Sequence, residues 1–199
     1  MVDLTFRQAR EEDHAPIVAA IQTWWGETRT PEEARELSLL LPRLFLQHFA
    51  ATSLIVKRRP DNEAPGEASP DAAGPGETVP DAAAGALAGF LVGFHSPDRP
   101  GTAYIHFVGV HPELRHQGVA RRLYERFFAR AVAAGRQEVR SIVSPANKPS
   151  IAFHHSMGFR PEGGDYESDG VPVHRDYDGP GHDRISFRRV LSAPSAAEA

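Results

Sequence analysis

Cysteine is absent from the 199 residues, which excludes disulfides, thiolate metal sites and a cysteine nucleophile. Lysine is scarce: of 22 basic residues only Lys57 and Lys148 are lysine. Neither sign of charge dominates. With 22 basic against 26 acidic residues, a formal charge of −4 and a pI near 6.2, the chain lacks the basic excess that draws a protein to nucleic acid or to an anionic membrane. No apolar run reaches the roughly 18 residues that cross a bilayer. The first residues, MVDLTFRQAREED, have neither the basic nor the apolar region of a secretion signal. The expectation is a cytoplasmic protein with no membrane and no nucleic-acid partner.

What is present reads as one domain over residues 1–199. Leu4 to Phe6 alternate as a strand, and Asp13 is placed to cap a helix carrying Ile17, Val18, Ile21, Trp24 and Trp25 and ending near Gly26. Thr30-Pro31-Glu32-Glu33 is a capping box with proline at the first helical position. It predicts a second helix, which Pro42 should kink or restart as Arg43 to Phe49. Residues 60–85 hold five prolines, six acidic residues and no Lys or Arg. That composition predicts a disordered low-complexity insertion between two neighbouring strands, Ser53 to Arg58 and Ala86 to Phe94.

Thr102 to Val110 is a further strand. It leads through His111-Pro112 into RHQGVARRLYERFFARAVAAG, whose Val119, Leu123, Phe127 and Ala131 step by four along one face before Gly135. A glycine turn at a helix start is suited to a pyrophosphate, because about four N–H groups are unpaired there and the helix dipole is positive; an ordinary tight turn is the plainer reading. Glu138 to Ser144 makes another strand and Ser150 to Met157 a short helix. Phe159 and Arg160 open a last hairpin closed by Arg184 to Leu191 across an Asp/Gly-rich loop.

FVGVHPELRHQGVARRLY resembles motif A of the GNAT superfamily of acetyl-CoA-dependent N-acetyltransferases, and NKPSIAFHHSMGFRPEG resembles its motif B. The order of elements fits that family across nearly the whole chain. The resemblance implies an α/β GNAT fold, a mixed and mostly antiparallel sheet flanked by helices. It implies acetyl-CoA as co-substrate, no metal, a small-molecule or peptide amine as acceptor, and a monomer or homodimer. The pantetheine arm should pair with the backbone of Val108, Gly109 and Val110. The pyrophosphate should sit on the amides of His116, Gln117, Gly118, Val119, Ala120 and Arg121, with Arg115 or Arg121 assisting. Asn147 and Phe153 fall at cofactor positions, although Asn147 also suits a cap for the helix that follows.

The chain departs from the family pattern at two positions. His154 stands where many members carry an acidic tyrosine, and Ile142 where some place a basic glutamate. His106 occupies a position where others have a catalytic glutamate, so it is the candidate base and His154 the candidate acid. Strand alternation predicts that His106, Val108 and Val110 share one face, so that His106 points into either the cleft or the core. Trp24, Trp25, Tyr177 and Asp176 are candidate acceptor contacts. The acidic loop containing Asp165, Glu167, Asp169, Asp176 and Asp178 suits either a cationic acceptor or plain solvation. The implied activity is direct acetyl transfer to a primary amine; the alternative is a non-catalytic acyl-CoA-binding or sensing module.

Overall fold

The computed structural model describes residues 3–25, 29–59 and 85–191. The expected Pro-rich insertion falls on 60–84, outside the described residues. Nine strands are found among the described residues: β1 (Leu4–Gln8), β2 (Leu54–Arg58), β3 (Ala86–His95), β4 (Thr102–Val110), β5 (Glu138–Val143), β6 (Arg160–Pro161), β7 (Tyr166–Ser168), β8 (Val171–Val173) and β9 (Ile185–Val190). The helices are α1 (His14–Trp24), α2 (Pro31–Leu39), α3 (Leu44–Phe49), α4 (Val119–Ala133) and α5 (Lys148–Ser156). Seven strands form one sheet in the order β1-β2-β3-β4-β5-β9-β6. Every neighbouring pair in it is antiparallel except β4 and β5. No helix among the described residues is long and apolar enough to cross a membrane.

The helices form as their start signals dictate. Thr30 Oγ1 accepts from the Glu33 amide at 3.2 Å while the Glu33 carboxylate accepts from the Thr30 amide at 2.8 Å, so the capping box is closed. Pro42 ends the run and α3 restarts beyond it. At α1 the expectation needs correction. Asp13 is buried, but its carboxylate accepts from both terminal nitrogens of Arg7 at 2.7 and 2.6 Å and from the Arg10 amide. Its side chain therefore locks β1 to the following turn instead of capping α1. The Asp/Gly-rich loop likewise contains a small hairpin, β7 with β8, too short to leave a periodic pattern.

Two apolar layers cover the sheet. On one face α4 and α5 pack Leu123, Tyr124, Phe127 and Ile151 against Leu54, Val56, Ile105, Val139 and Phe187. On the other, α1 and the α2–α3 corner pack Ile17, Ile21, Trp24, Leu41 and Leu46 against Ile55, Phe90 and Val92. Alternation along β2 sends Leu54 and Val56 to one layer and Ile55 to the other, so each strand braces both. Gly135, with φ of +75°, closes α4: its amide and that of Arg136 donate to Val132 and Ala131 at 2.8 Å, which turns the chain into β5.

Candidate active site

The site begins where the single parallel pairing fails. β4 and β5 pair only through Thr102↔Glu138, Ala103↔Val139 and Tyr104↔Arg140, yet β4 continues to Val110 and β5 to Val143. Beyond Tyr104 the two strands part, and the β4 edge facing β5, Val108 to Val110 included, has no strand partner. On its other edge the same stretch stays paired with β3 (Leu91↔Val108, Phe90↔Gly109, Gly89↔Val110). The result is a notch walled by main chain and held rigid on one side. Gly109 is required there by close approach: a Cβ would lie 2.4 Å from the Phe90 ring and 3.0 Å from Trp25.

The notch leads into the turn from Arg115 to Gly118. His116 and Gly118 adopt left-handed backbone, with φ of +61° and +78°. Gly118 sits at the N-cap of α4, and a Cβ there would meet nothing within 4 Å. The amides of His116 to Arg121 donate to no acceptor among the described residues, and the first turn of α4 contains no acidic side chain. Six consecutive amides at a helix N-terminus thus have no acceptor among the described residues, an arrangement matched to a phosphate group. Arg121 is half-exposed with Glu125 4.0 Å away. Arg115 is committed elsewhere: its guanidinium donates to the Trp24 carbonyl at 2.7 Å. It ties the turn to the end of α1. Gln117 Nε2 donates to the Glu113 carbonyl, leaving its amide available.

His106 lies in a β-bulge. The β3–β4 register passes from Val92↔Phe107 to Gly93↔Ile105, so His106 has no partner of its own. This extra residue breaks the alternation expected from sequence. Val108 and Val110 pack toward the α4 layer, whereas Phe107 packs with the α1 layer. The His106 ring stacks on Phe45 of α3, with centroids 4.1 Å apart. His106 is therefore on the α3 face, opposite Val108 and Val110. Its Nε2 lies 2.6 Å from the Leu40 carbonyl. A carbonyl only accepts, so Nε2 carries the proton and the Nδ1 lone pair of the neutral ring is left open. Burial lowers its pKa below the ordinary histidine value, and the Leu40 carbonyl and Asp178 offset this in part.

His154 does not join it. The ring is buried, stacked on Phe187 and edge-on to Phe159 and Tyr124. Nδ1 donates to the Ser150 carbonyl at 2.8 Å, so Nε2 accepts from the Tyr124 hydroxyl at 3.3 Å. Burial lowers its pKa, with the Ser150 carbonyl opposing and His155 adding to the effect. The structure thus places the candidate acid His154 in the core, as a neutral, enclosed imidazole with both nitrogens engaged. Asn147 caps α5, its side chain accepting from the Ser150 amide at 3.2 Å. Phe153 packs edge-on against Tyr124 beneath the notch.

Of the two tryptophans, Trp24 is core, packed on Phe90 and His111. Trp25 lies beside Gly109 and Phe107, at the wall of the notch. Tyr177 is half-exposed and lines a cleft of about 170 Å³ on the α3 face, floored by Tyr104, Arg140, Ile142 and Ser186. The acidic loop folds on its own charges. Asp165 accepts from the Arg175 amide, Asp176 from the Gly181 amide, and Asp178 pairs with Arg184 at 2.7 Å. These three carboxylates are engaged within the loop. Three residues near the site escape the sequence patterns. Tyr104 precedes His106 by two, and that strand-period spacing is the signal that points to it. Tyr124 is masked by the apolar stripe of α4. Ser141, whose buried hydroxyl has no partner among the described residues, stands between inward-facing Val139 and Val143 as the one polar member of that series.

Residues 45–159, more than half of the chain, match the family described as the acetyltransferase (GNAT) family. A curated relative, the L-2,4-diaminobutyric acid acetyltransferase of Methylotuvimicrobium alcaliphilum, is 33% identical over 71 residues, 36% of this chain; the match spans 41% of that enzyme, less than half its length. Among solved structures, a GNAT-family protein from Desulfovibrio desulfuricans superposes with a TM-score of 0.62 at 20% identity, covering 96% of this chain and 100% of the other. The diaminobutyrate acetyltransferase of Paenibacillus lautus, in complex with L-2,4-diaminobutyric acid and coenzyme A, gives 0.58 at 18% identity with 96% of each chain covered. At these identities the two structures share the fold.

Proposed function

The chain belongs to the GNAT acetyltransferase family, and from that premise we propose that it transfers the acetyl group of acetyl-CoA to a primary amine. The observation that carries this reading is the continuity of the parted β4 edge with the amide-lined turn at His116 to Arg121. The donor set fits the co-substrate. The main-chain edge at Val108 to Val110 that faces β5 without a strand partner suits the amide groups of a pantetheine arm, and six amides at a helix N-terminus suit a pyrophosphate. Acetyl-CoA supplies an activated thioester; the chain's own residues bind it, orient it and manage protons.

His106 serves as the base. An aliphatic ammonium, with a pKa near 10, must lose a proton before its nitrogen can attack, and the Nδ1 lone pair of His106 receives that proton directly or through one water. The amine lone pair then forms the new C–N bond while the C–S bond breaks, and the nitrogen sheds its second proton to water as the amide forms. Main-chain N–H groups of the β4 edge near Val108 stabilise the charge that develops on the carbonyl oxygen. The departing thiolate has a pKa of about 8.5 and takes its proton from water, since His154 is neutral and enclosed. An aliphatic primary amine is the acceptor class supported by the diaminobutyric acid relative.

The test is amine-dependent release of free thiol from acetyl-CoA, with the N-acetylated product identified by mass spectrometry. Stoichiometric thiol and product support the proposal. Tight coenzyme A binding without amine-dependent release would instead leave the acyl-CoA-binding or sensing module.

A further inference from the structure

The cleft on the α3 face begins where the β3–β4 turn fixes Arg99. The Ser96 amide donates to the Thr102 carbonyl at 3.0 Å and the Thr102 amide to the Arg99 carbonyl at 2.8 Å, while Ser96 Oγ accepts from the Arg99 amide. This closed turn holds Arg99 at the cleft wall. Among the described residues no carboxylate lies within ion-pairing distance of its guanidinium. The other cation on the wall is neutralised: Arg140 pairs with Glu138 at 2.6 Å and with Glu162 at 2.8 Å. Tyr104, on the floor, has a hydroxyl with no hydrogen-bond partner among the described residues. Burial, with Tyr177 and Asp178 nearby, raises its pKa, so the phenol stays a donor. No acidic side chain lines the cleft.

One uncommitted guanidinium and one uncommitted O–H donor, with the nearby Asp178 carboxylate paired to Arg184, match a carboxylate better than a cation. Tyr104 and His106 share the α3 face through the ring series Tyr104, Phe94, Phe49, Phe45 and His106. They are two residues apart, about 6 to 7 Å of strand. Resting on the acetyl-transfer reading above, we propose that the acceptor is an amino acid whose carboxylate is bound by Arg99 and Tyr104 while its reacting amine reaches His106. The volume of about 170 Å³, below the roughly 300 Å³ at which drug-sized pockets begin, fits a short-chain diamino acid or ω-amino acid, and a polyamine is disfavoured by Arg99.

The experiment compares kcat/KM at saturating acetyl-CoA for L-2,4-diaminobutyrate, ornithine and lysine, for their carboxamides, and for diamines of matching length. The free acids should lead by about 10- to 100-fold, the range of one hydrogen bond to a charged group. Arg99→Glu should erase that lead, chiefly through KM, whereas Arg99→Lys should keep part of it. Equal rates for acids and carboxamides, or an unchanged preference in Arg99→Glu, would overturn the proposal. If no amine releases thiol, the transferase reading has failed, and the subsite is read instead by calorimetry with the same amino acids on the full chain. Binding lost in Arg99→Glu supports the carboxylate site, and no binding to the wild type refutes it.

Discussion

His106 donates its Nε2 proton to the main-chain carbonyl of Leu40 across 2.6 Å, and that bond fixes both the tautomer and the position of the one open nitrogen in the β4 bulge. The ring is oriented from the α2–α3 corner, an element far from it in sequence. Burial keeps the ring neutral below the ordinary histidine pKa. The kcat/KM profile should therefore stay level as pH falls from 7 to about 6.5 and drop only at lower pH. His106→Ala should lose about 100- to 10,000-fold and that acid limb. A limb centred above 6.5, or one surviving in His106→Ala, would assign the base elsewhere.

Gly118 separates backbone strain from ligand exclusion. A Cβ there meets nothing within 4 Å, but φ is +78°, so Gly118→Ala should cost about 1 kcal/mol of stability. Its coenzyme A affinity should fall less than about tenfold. Gly118→Glu places a carboxylate before the six open amides and should lower affinity by at least about 100-fold at a similar melting temperature. Calorimetry with coenzyme A measures both variants, and equal affinities in the two would remove the phosphate assignment.

His154→Phe should retain turnover within a few-fold, because the imidazole is enclosed. It should cost about 1 to 3 kcal/mol of stability, since the Tyr124 hydroxyl would be left buried without its acceptor. Ser141→Ala should be neutral or stabilising, as it removes a buried hydroxyl that has no partner. Urea unfolding of both variants checks the opposite signs. A large loss of kcat in His154→Phe at unchanged stability would restore the acid role.

Acid should weaken the fold in two stages. His95, His106 and His154 all have pKa values lowered by burial. The unfolded chain therefore binds more protons than the folded one below about pH 6.5, and stability falls as pH drops through that region. Glu138 acts next. Arg140, Arg188 and Thr102 bond its carboxylate and hold its pKa down to about 2 against the desolvation that opposes them. Its contribution is complete above the ordinary carboxylate pKa and is lost as pH falls from about 4.5 toward 2. Melting temperatures from pH 7.5 to 3 should decline from about 6.5 downward; a flat profile to pH 5 would mean the histidines are not buried neutral.

Features that rest on short-range chemistry are legible in the amino-acid sequence. The Thr30 capping box, the Pro42 break, the amphipathic α4 and its Gly135 end each depend on neighbours within a turn or two. The turn before α4 is legible because main-chain geometry there demands glycine at one position. What the sequence hides depends on contacts between distant segments. The bulge at His106 exists only against β3, and it moves that ring to the face opposite Val108. His154 reads as a reactive histidine until Phe187, Phe159 and Tyr124 close around it. Arg115 looks like a phosphate ligand until the end of α1 arrives with an unpaired carbonyl. The acidic loop looks suited to a cation because its own N–H and Arg184 partners lie outside any local pattern.

The central claim, that acetyl-CoA is bound by main chain along the parted β4 edge and the α4 turn, is tested most directly by titrating uniformly 15N-labelled protein with coenzyme A and following its amide resonances. The account predicts the largest shifts at Val108 to Val110 and His116 to Arg121, with the β7–β8 hairpin unmoved and the pattern lost in Gly118→Glu. Saturable binding whose shifts fall elsewhere, leaving the His116 to Arg121 amides in place, would contradict it.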